Sequence, residues 1–174
     1  AKAKEEGFFT SELDDRLNRF RARMDRTQPG WEMAAITGKI PLYYFTGTMP
    51  DGLLLIPQDG DAVFWVRQSY ERAVDESFFP DLRKMRSYRD VATGMGKIPP
   101  EIYLETDLVP VAQLQRMQKH LPFTKVKPVD AEVSAVRAKK SPYELALMEK
   151  AGKIHRHVLE DLVPRMLSEG IDEV

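Results

Sequence analysis

The sequence predicts an α/β fold, a mixed β-sheet with flanking helices, and three observations lead there. Helix-like and strand-like segments alternate along most of the chain. Two apolar runs, GLLLIP and AVFWV, are separated only by QDGD, where Asp59-Gly60 supplies positive-φ turn chemistry for a hairpin. Both runs are apolar at consecutive positions, the pattern of strands covered on both faces. The hairpin requires at least one antiparallel pair, which argues against an all-parallel doubly wound sheet.

The elements follow in order. A helix is expected from about Ser11 to Gln28, because Leu13, Leu17, Phe20 and Met24 recur on one stripe. Arg16, Arg19, Arg23 and Arg26 form a second stripe about 110° away, which reads as a solvated flank diluted by Glu12, Asp15 and Asp25. Pro29-Gly30 breaks this helix, and WEMAAITG reads as a buried strand. IPLYYFTG reads as a short aromatic, β-favouring segment before the hairpin. A helix is expected near Ser69, then a weakly patterned basic stretch, LRKMRSYRDV, with room for a short strand. EIYLET is a strand, Thr106 caps a helix to about His120, FTKVKPV is a last strand, and Asp130 caps a short helix over DAEVSAVRA.

Composition narrows the function. A chain of 174 residues, 43% hydrophobic and 30% charged, can bury a core. Its 26 basic and 27 acidic residues argue against a dedicated nucleic-acid binder, even with Arg83, Lys84, Arg86 and Arg89 close together. The lack of cysteine excludes disulfides and thiolate metal sites. No apolar run approaches the ~20 residues that span a bilayer, so no membrane partner is expected and a cytoplasmic location is the default.

The C-terminal stretch VRAKKSPYELALMEKAG carries the strongest local signal. Ser141, Pro142 and Glu144 form an S-x-x-E capping box with proline at the first helical position. The apolar residues Leu147, Met148, Ala151, Ile154, Val158, Leu159 and Leu162 cover about half the helix circumference, more than one surface requires. Pro164 should kink or end the helix, Gly170 reads as a C′ residue, and Asp172 as the cap of a further helix. The expectation is a first domain over residues 1–136, then a linker and the opening helix of a truncated second domain over 137–174.

The same residues carry a resemblance. In VRAKKSPYELALMEKAG, the residues Arg137, Lys140, Ser141, Pro142, Glu144 and Ala151 match the R-x-x-K-S-P-x-E-x-x-x-x-x-x-A junction of the creatinase/prolidase family, which includes Xaa-Pro dipeptidases, aminopeptidase P and creatinase. Upstream, YYFTGTMPDGLLLI and RQSYERAVDES resemble two further stretches of its N-terminal domain. The resemblance implies a ribonuclease-H-like N-terminal domain followed by a pita-bread catalytic domain. In the peptidases that second domain holds two divalent ions (Mn, Co or Zn) on two Asp, one His and two Glu, all expected beyond Val174. It also implies a homodimer acting on a peptide substrate, with this domain walling off the partner subunit's cleft. Two alternatives stay open: a peptide- or protein-binding module of a pseudo-peptidase, and the N-terminal domain of a creatinase-like C–N amidinohydrolase.

No catalytic constellation is visible in the chain itself. His155 and His157 stand at i and i+2, about 200° apart on a helix, and cannot share one ion. His155 falls on the apolar arc and reads as a buried imidazole. No nucleophile elbow, P-loop or dinucleotide fingerprint occurs, so neither catalytic nor metal-binding residues are assigned. One segment keeps a functional reading, FTGTMPDG, taken as a turn-rich loop between two apolar strands. Thr46, Gly47, Thr48 and Asp51 are its candidates for substrate-facing or cross-subunit contacts.

Overall fold

The computed structural model describes residues 2–167, with side chains from Phe9 onward. The chain divides into two compact units, Ala1–Ala138 and Lys139–Val174. The first is built on a six-stranded sheet in the order β4-β3-β2-β1-β5-β6. Its strands are β1 (Met33–Ile36), β2 (Gly52–Pro57), β3 (Val63–Val66), β4 (Leu82–Lys84), β5 (Glu101–Leu104) and β6 (Lys125–Pro128). β2 runs antiparallel to both β1 and β3, while the β3/β4, β1/β5 and β5/β6 pairs are parallel. The sheet is therefore mixed, and β2 is the one strand among those described that runs against its neighbours. Gly60 closes it at φ 105°, a conformation that glycine adopts without strain.

Strand alternation sorts the core into two layers. Ala34, Ile36, Leu54, Ile56, Phe64, Val66 and Tyr103 face one layer with Leu13, Leu17, Phe20 and Met24 of α1 (Lys2–Thr27), Leu42 and Phe45 of α2 (Lys39–Thr46), and Val133 and Val136 of α6 (Asp130–Ala138). Met33, Ala35, Leu53, Leu55, Val63, Trp65, Ile102 and Leu104 face the other, with Tyr88 and Val91 of α4 (Tyr88–Met95) and Met117 of α5 (Val111–Gln118). Consecutive apolar residues in β2 and β3 thus serve opposite layers, as the two-sided pattern required. A short α3 (Tyr70–Glu76) follows β3.

Several expectations are corrected. The first helix begins at Lys2, well before Ser11. IPLYYFTG lies mostly in a helix, α2, not a β segment. Pro41 fits its first turn, Gly47 ends it in the left-handed region at φ 76°, and Leu42 and Phe45 bury one face. Tertiary burial overrides the β-preference of the aromatics. The basic stretch contains β4 and then α4, which starts with a Ser87/Asp90 capping box. Thr106 caps no helix, since α5 begins after Pro110. The arginine stripe is a solvated flank only at Arg26, which is exposed. Arg16 is buried, pairs with Glu12 at 2.9 Å and donates to the Tyr44 carbonyl at 2.7 Å, while Arg23 pairs with Glu132 on α6. The stripe locks α1 to α2 and α6.

In the second unit, α7 (Pro142–Arg156) starts with the expected box. The Glu144 amide donates to Ser141 Oγ at 3.2 Å, and the Ser141 amide donates to Glu144 Oε2 at 2.9 Å. A π-helical stretch, His157–Leu162, leads to the short α8 (Val163–Met166), so the ladder widens just before Pro164 and ends soon after it. Leu147, Met148, Ile154, Leu159 and Leu162 are exposed. His155 is exposed too, not buried. Gly170 and Asp172 lie outside the described residues.

Candidate functional site

The parallel strands β1 and β5 end side by side, and the chain leaves each at its carboxyl end. In an α/β sheet such a strand edge is where ligands gather. After β1 the chain turns through Thr37-Gly38 into α2; after β5 comes Glu105. A cleft of about 580 Å³ opens here, lined by Thr37 to Pro41, Asp51, Glu105, Asp107, Leu108, Asp130 and Arg137 among others.

Glu105 organises its floor. The side chain is only 2% exposed, and Oε2 accepts hydrogen bonds from the Thr37 and Gly38 amides at 2.6 and 2.7 Å. Burial pushes its carboxyl above the usual range; the two amides and Arg137 work against that shift, and Asp130 adds to it. Gly38 leaves room for the Glu105 and Leu108 side chains. A Cβ there would meet Glu105 Oε1 and Leu108 Cδ1, each at 2.8 Å.

Asp130, at the start of α6, turns its carboxylate outward instead of capping its own helix. It accepts from the Thr106 amide at 2.9 Å, the Thr106 hydroxyl at 3.3 Å and the Asp107 amide at 3.3 Å. The sequence expected Thr106 and Asp130 each to cap a helix; instead they bind one another. Lys39, Asp51, Asp107 and Arg137 put charge of both signs around the cleft, and Ile40 and Leu108 add exposed apolar side chains. Tyr43 and Met49 are also exposed.

The four loop candidates divide. Thr46 closes α2, its hydroxyl donating to the Leu42 carbonyl at 2.7 Å. Thr48 is buried and its hydroxyl donates to Glu76 Oε2 at 2.9 Å. Gly47 is the left-handed helix end, and its amide donates to the Tyr43 carbonyl at 2.8 Å. Asp51 alone of the four lines the cleft, while its backbone carbonyl accepts from the Arg67 amide at 2.7 Å. The segment is therefore a helix-to-strand connection whose threonines face inward. Glu105, Asp130 and Arg137 were missed. The available signal was a charged residue directly after the apolar EIYL strand.

Chemically, the cleft offers a buried carboxylate already engaged by two amides and a rim able to contact another polar surface. Among the described residues, no group of three or more His, Cys, Asp or Glu could hold a metal ion. No described helix is long and apolar enough to cross a membrane.

Comparison with known proteins matches this architecture. The family model of the creatinase/prolidase N-terminal domain matches residues 16–139. The prolidase from Pyrococcus horikoshii OT3 superposes with a TM-score of 0.75 at 22% identity, over 91% of this chain and 45% of that one. The Xaa-Pro dipeptidase from Bacillus anthracis gives 0.78 at 17% identity, over 92% and 45%. The N-terminal domain of the cytoplasmic peptidase PepQ from Mycobacterium tuberculosis H37Rv gives 0.58 at 19% identity, over 70% and 98%. Comparison with curated proteins gave no match. The chain thus spans less than half the length of the two longer structures. With the mixed sheet, its order and the residues matched, the chain belongs to the creatinase/prolidase N-terminal domain family.

Proposed function

We propose that this domain is the noncatalytic N-terminal part of a prolidase-like metallopeptidase, acting in dimerisation and in shaping access to the partner subunit's active site. The observation that carries the reading is the cleft beside Glu105. It has a charged and apolar rim suited to lie against another protein surface, and its buried carboxylate is spent on the Thr37 and Gly38 amides rather than poised over a reactant. Asp51 is the cross-subunit candidate, with Thr46, Gly47 and Thr48 holding it in place. The exposed apolar arc of α7 supports a separate body of protein packed on that helix, in which two divalent ions would be bound. The name of the Mycobacterium tuberculosis neighbour supports a cytoplasmic setting.

The test joins the chain to a catalytic domain. The longer protein should hydrolyse Xaa-Pro dipeptides with Mn²⁺ or Co²⁺, and residues 1–174 alone should not. Asp51→Lys with Ile40→Asp should alter KM for longer peptides more than for dipeptides. Comparable hydrolysis by the isolated chain refutes the noncatalytic assignment, and unchanged peptide-length preference refutes the gating role.

A further inference from the structure

A second pocket, unrelated to the Glu105 cleft, gathers cations. It lies where the chain leaves β3 and β4, at the start of α4 and the last turn of α5, and encloses about 240 Å³. Arg67, Arg86, Arg116, Lys119 and His120 line it together with Met85, Ser87 and Tyr88. Met85 and Tyr88 are buried and form an apolar, aromatic floor, while the four Arg and Lys side chains are exposed around it.

Ion pairing among the described residues does not account for this charge concentration. The chain carries a net charge of −1, so the cluster is not a general basic excess. None of these five side chains enters an ion pair among the described residues. Neighbouring Arg83 and Lys84, by contrast, pair with Asp81 and Glu71. Asp90 interacts electrostatically with Arg86, but its carboxylate is held by the Arg86 and Ser87 amides at 2.7 and 3.1 Å. Arg116 and Lys119 complement the dipole at the end of α5. Arg67 and Arg86 arrive from the strand edge and have no such role. Four permanent cations around one small pocket repel each other, and a bound anion relieves that repulsion.

We propose that this pocket binds a small phosphomonoester, its dianion among Arg67, Arg86, Arg116 and Lys119 and its organic part on Met85 and Tyr88. Guanidinium forks suit phosphate oxygens, and a dianion answers this density of charge better than a single carboxylate. The volume admits a small organic phosphate, and Met85 with Tyr88 favours an apolar or aromatic substituent.

The probes are phenyl phosphate, inorganic phosphate, benzoate and a short single-stranded RNA, titrated calorimetrically into the 174-residue chain at low salt. Expected are one saturable site for phenyl phosphate, weaker binding of inorganic phosphate and benzoate, and loss of affinity as salt rises. Arg86→Gln and Arg116→Gln should each weaken phenyl phosphate about tenfold or more, whereas Lys97→Gln, an equal charge change outside the pocket, should not. Both pocket residues are exposed, and circular dichroism checks that the fold persists. Absence of saturable binding, equal weakening by Lys97→Gln, or tighter binding of RNA than of phenyl phosphate each overturns the proposal.

Discussion

Removing the Glu105 carboxylate tests whether the turn after β1 is held from the end of β5. In Glu105→Ala, the Thr37 and Gly38 amides lose acceptors at 2.6 and 2.7 Å, and the neighbouring strand ends lose their shared anchor. A hydrogen bond to a charged group contributes about 1.5–3 kcal/mol. Two such bonds, offset by relief of the carboxylate's burial cost, give a net loss of about 2–4 kcal/mol. Glu105→Gln keeps a carbonyl acceptor and should cost about 1 kcal/mol near neutral pH. The assay is urea unfolding followed by fluorescence of Trp31 and Trp65, the two tryptophans, both in the first unit. The pH dependence follows from the raised folded-state pKa of Glu105. Between its ordinary carboxylate value and that raised value, the folded state binds more protons than the unfolded state. This group's contribution to stability therefore grows as pH falls through that window and is lost as pH rises above it. Wild type should gain on Glu105→Gln as pH falls toward the ordinary carboxylate range. A Glu105→Ala cost below about 0.5 kcal/mol, or a wild-type advantage over Gln that grows with rising pH, would refute the reasoning.

Two further perturbations probe the scaffold. Gly52→Ala places a Cβ 2.3 Å from the Trp65 backbone carbonyl, which the β2/β3 ladder holds in place, so unfolding should ease by about 1–3 kcal/mol and the Trp65 near-ultraviolet signal should change. Ser141→Ala removes the acceptor for the Glu144 amide and should weaken α7 by about 1 kcal/mol, seen as faster amide exchange in that helix with little change in tryptophan fluorescence.

Short-range chemistry legible in the sequence determined much of this protein. Asp59-Gly60 closes its hairpin because a two-strand reversal needs only turn residues and flanking apolar runs. Ser141 and Glu144 form their box because both partners lie within one helical turn. Consecutive apolar residues in β2 and β3 announced a sheet covered on both sides for an equally local reason: successive side chains point to opposite faces. Only the tertiary structure decided that YYF is helical, that Arg16 and Arg23 are tied to Tyr44 and Glu132, and that Glu105 holds Thr37 and Gly38 from 68 and 67 residues away. Those outcomes rest on burial and on partners distant in sequence, which residue spacing does not encode.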